Sequence, residues 1–88
     1  MKISYSSKFA REYHKLPLAV KRTAEKKEQI FRESPFDERL KTHKLKGVLK
    51  DFYSFSIDNK HRVIFEMVNK QKVWFHSVGS HTIYKLWD

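Results

Sequence analysis

Cysteine is absent from this 88-residue chain, which removes any disulfide framework or thiolate metal site and argues against a secreted, cross-linked mini-protein. Glycine and proline are scarce, two of each, and the chain has no linker, internal repeat or low-complexity tract. No apolar run approaches the roughly 18 residues of a membrane-spanning helix. The first residues lack the apolar stretch of a secretory signal, so a cytoplasmic location is the expectation. Acidic residues are also few: ten Asp and Glu face nineteen Lys and Arg, a formal net charge of +9. A field of that sign draws polyanions, nucleic acid or an acidic protein ahead of an anionic membrane surface. Aromatic area, by contrast, is plentiful. Seven Phe, four Tyr and two Trp enlarge the core of the single domain that residues 1–88 allow. A domain of this size buries only about 60–65% of the surface its unfolded chain exposes, so the core is thin.

Periodicity predicts the order β-α-α-β-β-β. Lys2 to Ser6 alternates as a short strand, with Ile3 and Tyr5 on one face. Ser6 or Ser7 N-caps a helix whose stripe is Phe9, Tyr13 and Leu16. Pro17 ends that helix and suits the start of the next, which carries Val20, Ala24, Ile30 and Phe31 and stops at Ser34-Pro35. Phe36 to Thr42 is a polar connection, and Gly47 supplies a turn. Three strands follow: Asp51 to Ile57, Arg62 to Val68 and Lys72 to Val78, joined by turns at Asp58-Asn59-Lys60 and Asn69-Lys70-Gln71, with Gly79 as the stop. The class is α+β, an antiparallel meander covered on one face by an N-terminal helical hairpin.

The chemistry concentrates in the second half. Between Arg39 and Arg62 lie seven Lys or Arg, Lys44, Lys46 and Lys50 among them, against two acids, with His43 and His61 in addition. These charges fall beside the sheet face that the helices leave uncovered. Such a cationic face, with Phe52, Tyr53 or Trp74 nearby, suits single-stranded RNA: phosphates on cations, bases on rings. The bland reading is a solvated charged surface. Five histidines invite a metal site, but their spacing gives no HxH or HxxxH pair, so no metal and no cofactor is expected. General acid–base work fits imidazole better. His14 and His76 read as structural; His43 and His81 each flank a Gly-containing turn at a strand end, and spacing alone leaves them as structural rings or as a converging pair. Arg62 is either a salt-bridge partner of Asp58 or Glu66, or a planar fork for a phosphate transition state. Tyr84 either packs or stacks on a base.

The succession HKLKG, HRVIF and VGSHTIY behind a strand and a helical hairpin resembles the RelE/ParE toxin superfamily of bacterial toxin–antitoxin systems, especially its RelE, YoeB and YafQ branches. The resemblance covers essentially the whole chain and implies one RelE-like toxin domain over 1–88. It implies an mRNA endoribonuclease acting at the ribosomal A site without metal, using the RNA's own 2′-OH and leaving a 2′,3′-cyclic phosphate. It further implies an antitoxin partner whose acidic segment covers the site, and a toxin–antitoxin hetero-oligomer that binds promoter DNA.

By position, Arg62 matches the arginine of the "YRLVY" or "HRLVY" strand, and His81 the histidine of the YafQ Gly-Thr-His. His43 matches the His of "HPLQG", Lys46 a basic position in the same loop, and Tyr84 the C-terminal aromatic. The resemblance thus implies His43, Arg62, His81 and Tyr84 as catalytic residues, with Lys44, Lys46, Lys50 and His61 binding substrate. His43 serves as base and His81 as acid, or the reverse. There are departures. Ser54 and Ser56 stand where RelE has strand lysines. Ser56, Lys60 and Ser77 stand where YafQ has His, Asp and Arg. The alternatives are a ParE-type inhibitor of DNA gyrase, or an inactive RNA-binding relative.

Overall fold

The computed structural model describes residues 1–83. Its elements are β1 (Lys2–Tyr5), α1 (Ser7–His14), α2 (Leu18–Glu33), β2 (His43–Lys44), β3 (Tyr53–Ser56), β4 (His61–Asn69) and β5 (Lys72–Ser80). Single 3-10 turns occupy Glu38–Leu40, Gly47–Leu49 and 81–83. Ser6 caps α1: its Oγ accepts the Phe9 N–H at 2.9 Å and donates to the His76 carbonyl at 2.7 Å. One hydroxyl therefore fixes where the helix starts and where it sits on β5. Pro17 stands immediately before α2, and Ser34 leaves it in extended conformation ahead of Pro35. Tyr5 ties β1 to α2 by donating to Glu28 Oε1 at 2.7 Å; burial, reinforced by that carboxylate, pushes its phenol up to about 12.

The sheet order is β1-β5-β4-β3-β2. β3, β4 and β5 form the antiparallel meander expected from the alternation. Three details go beyond the sequence reading. β1 adds to β5 in parallel, so the sheet is mixed. β2, too short to display a period, adds antiparallel to β3. Gly79 does not end β5; it pairs with Arg62 inside the ladder. Its missing side chain serves packing instead, because a Cβ there would lie 2.6 Å from Ile83 Cγ2.

The core lies between helices and sheet and is built from aromatic rings. Phe31 of α2 is wholly buried, with ring centroids 5.1 Å from Phe55, 4.9 Å from Phe65 and 5.3 Å from Phe75. Phe9, Leu40, Ile57, Val63, Val73 and Val78 complete it, flanked by Ile3, Tyr13, Leu16, Val20, Ala24 and Ile30. The face away from the helices is not bare, as the sequence reading had it. Ser54 and Ile64 at its middle are buried, and Leu49 and Ile83, outside the main core, are buried as well.

Phe31→Ala removes the ring shared by three strands. A cost of about 3–5 kcal/mol is expected for such a deletion, a large part of the roughly 5–15 kcal/mol total of a domain this size. Urea unfolding followed by circular dichroism measures it.

Candidate functional site

Cross-strand partners project from the same face of a sheet. The rows Tyr53–Phe65–Phe75 and Phe55–Val63–Val78 meet the helices. The intervening rows, His43–Ser54–Ile64 and Ser56–Arg62–Gly79, face away. His43 and Arg62 therefore share the helix-free face in adjacent rows. Lys44, paired with Tyr53, lies on the helix side. His61, paired with Ser80, also belongs to the helix-side set, at the very end of β4.

Each histidine is set by a local contact. His43 is exposed, and its Nδ1 lies 3.1 Å from the Lys41 carbonyl. A carbonyl only accepts, so Nδ1 carries the proton and the neutral ring presents its lone pair at Nε2. Lys41 reaches that position through a left-handed backbone, φ 53°, closing the turn Glu38–Leu40. The turn begins at Asp37, which takes the Arg39 backbone N–H and side chain; the Arg39 hydrogen bonds hold its carboxyl down at about 2. Lys46 and Lys50 bracket the turn Gly47–Leu49, where Gly47 has φ 67°. With Lys44, both are exposed and make no ion pair among the described residues.

The turn between β3 and β4, expected at Asp58-Asn59-Lys60, is organised by the Asp58 carboxylate, which the sequence reading had offered as a salt-bridge partner for Arg62. Its Oδ1 accepts the backbone N–H of Lys60 at 2.8 Å and of His61 at 2.7 Å, and lies 3.0 Å from His61 Nδ1. Burial pushes the Asp58 carboxyl up, but the Lys60 and His61 donors outweigh it and the net direction is down. The His61 ring is thereby oriented with Nε2 pointing away from the carboxylate. Arg62 makes no ion pair with Asp58 or Glu66. Its Nη1 donates instead to the Asp58 carbonyl at 2.5 Å and the His61 carbonyl at 3.0 Å. Nε and Nη2 make no hydrogen bond among the described residues. The His81 backbone N–H donates to the Lys60 carbonyl at 2.9 Å, so exposed His81 stands at the same sheet end. The Asp58-Asn59-Lys60 composition announced this turn, but not the hold of Asp58 on the His61 ring.

Arg62, His61 and His81 thus gather around one turn, and His43 with Lys46 and Lys50 lies at the β2 edge. Tyr84 lies outside the described residues. One of the serines at the departing positions, Ser77, has structural work. Ser77 donates to Glu12 Oε1 at 2.8 Å and accepts from Lys8 Nζ at 3.1 Å. Glu12 Oε1 also takes the Val78 N–H at 3.2 Å, satisfying the β5 edge just where β1 has ended. A concavity of about 540 Å³ lies elsewhere, between helices and sheet over Phe9, Tyr13, Ala24 and Phe55, and none of the cationic set lines it. Among the described residues no three His, Asp or Glu cluster as metal ligands, and no helix is long and apolar enough to cross a membrane.

No family model and no curated protein matches the chain in sequence. Solved structures match in shape. A YoeB/ParE toxin from Agrobacterium tumefaciens superposes with a TM-score of 0.77 at 18% identity, covering 92% of this chain and 99% of that one. The fold is that of the RelE/ParE toxins. YafQ from E. coli strain BL21(DE3) gives 0.73 at 18% identity, over 94% of this chain and 96% of YafQ. A match from the RelB–RelE antitoxin–toxin complex of Methanococcus jannaschii gives 0.75 at 17% identity, over 97% and 99%. The RelE-like fold therefore extends over nearly the whole length of each chain.

Asp58→Ala strips the turn of its acceptor, and a loss of roughly 1–2 kcal/mol is expected at neutral pH. The folded carboxyl sits below its ordinary value, so its contribution is complete above about pH 4–5 and fades as the pH falls further. Urea midpoints of wild type and variant should differ at pH 7 and converge toward pH 3.

Proposed function

We propose that this chain is the toxin of a type II toxin–antitoxin system, a ribosome-dependent mRNA endoribonuclease. One observation carries the reading: on a RelE-like fold, Arg62 keeps Nε and Nη2 without a hydrogen bond among the described residues, at the sheet end where exposed His81 is tied to Lys60, and His43 presents Nε2 on the same face as Arg62. Those are the groups needed to cut a phosphodiester with the RNA's own hydroxyl. The 2′-oxygen attacks phosphorus as its proton passes to His43 Nε2. The bond to the 5′-oxygen breaks as His81 supplies a proton, leaving a 2′,3′-cyclic phosphate and a 5′-hydroxyl. Arg62 Nε and Nη2 meet the charge that grows on the non-bridging oxygens. His61, oriented by Asp58, and Lys46 and Lys50 attract the neighbouring backbone, while Lys44 reaches it from the other side of the β2 edge. Tyr84 completes the set as the C-terminal aromatic.

The ribosomal A site, in the cytoplasm, supplies the alignment of 2′-oxygen, phosphorus and leaving oxygen that an open rim does not. Free RNA should therefore be a poor substrate. The partner is an antitoxin whose acidic segment neutralises the same cations, and the pair forms the hetero-oligomer that binds promoter DNA. Support comes from RelE-like neighbours solved as antitoxin–toxin complexes, the RelB–RelE pair above and the YoeB–YefM complex from Staphylococcus aureus.

Mapping mRNA ends in a purified translation reaction tests the reading. Cuts phased to codons and bearing cyclic phosphate are expected from wild type. His81→Ala should slow them by about 10²–10⁴, the range of a lost proton-transfer group, and Arg62→Ala comparably. Cleavage untouched by His81→Ala removes that residue from the chemistry. Absence of cleavage together with blocked gyrase supercoiling moves the protein to the ParE type, and absence of both makes it an inactive relative.

A further inference from the structure

We propose that Trp74 is a nucleobase-stacking platform that carries the RNA path from Arg62 along β4 and β5 toward β1. The inference rests on the RNA-cleaving reading. Trp74 lies between Val73 and Phe75, both in the core, so it projects from the opposite face, the one bearing Arg62. It is 41% exposed. Its ring is not loose, because its centroid is 4.4 Å from that of His76, which meets Phe52 edge-on at 5.0 Å. A rigid, half-exposed indole is the surface on which a base stacks irrespective of its sequence.

The charges around it sort base from backbone. Glu66, cross-strand from Trp74, is held by His76 Nε2 at 3.1 Å, and a carboxylate there repels phosphate. The cations lie one step further along the same face: Lys2 and Lys72 pair across β1 and β5, two residues from the Ser4–Trp74 pair. Both are exposed and make no ion pair among the described residues. The base sits on the indole and its flanking phosphate on the lysine pair. Arg62 and Glu66 are four residues apart on β4, about 13 Å at ~3.3 Å per residue, so the platform serves a nucleotide beyond the one being cut.

Fluorescence polarisation of a labelled, uncleavable 2′-O-methyl oligonucleotide tests this at low and moderate salt. Trp74→Ala should weaken binding by about tenfold or more, while Trp74→Phe stays within roughly threefold of wild type. Lys72→Gln should flatten the salt dependence. Circular dichroism of the Ala variant, whose side chain is half-exposed, separates lost stacking from lost fold, and the Phe variant provides a second control. Weakening by Arg62→Ala with no effect of Trp74→Ala overturns the platform and leaves the nuclease reading standing. A wild type that binds no oligonucleotide while still cleaving mRNA on the ribosome overturns the platform alone; one that does neither overturns both.

Discussion

The packing of Phe31 against Phe55, Phe65 and Phe75 is the constraint on which the molecule's other arrangements rest. One helix residue touches the three strands of the meander, two of them edge to face, the geometry that aromatic quadrupoles favour. A domain with so little interior cannot spread its apolar area over two faces. The phenylalanine cluster therefore fills one side of the sheet, while Ile64 and Ser54 are buried on the other. The polar groups are left with the perimeter.

At that perimeter the scarcity of acids becomes structural. Asp37 and Asp58 are spent on turns, Glu12 on a strand edge, and Glu28 on Tyr5 and Arg32. Among the described residues none of the acids forms an ion pair with Lys44, Lys46, Lys50 or Arg62. The acids shape the loops that hold the cations, and their engagement there leaves the cations available to an external anion.

How much of this was legible depended on whether a feature has a period. The meander was readable because Tyr53, Phe55 and Ile57, then Val63, Phe65 and Met67, alternate strictly. Ser6 was readable because a hydroxyl preceded an apolar stripe. β2 was not, since two residues cannot alternate, nor was the parallel pairing of β1, which depends on which strand comes to lie beside it. The irregularity near His76, which lets Phe65 face Phe75 while Ile64 faces Ser77, left no mark in composition. In the site, residue types pointed to Arg62 and the histidines. Their partners escaped notice, because a backbone carbonyl holding His43 or Arg62 has no letter in the sequence. Ser77 looked like a lost cation; its role at the edge with Glu12 emerges only from a contact 65 residues distant.

The pairing of β1 with β5 also says something about when the fold is completed. Ser6 and His76, 70 residues apart, are joined by a hydrogen bond, so β1 must wait for almost the whole described chain before it has anywhere to go. Closing so long a loop is entropically late, whereas the β3–β4–β5 meander needs only neighbours. During synthesis α1 and α2 leave the ribosome before any strand that can bury their apolar stripe. A nascent chain therefore remains without its aromatic core, and without the rim that the core supports, until its last strand is made.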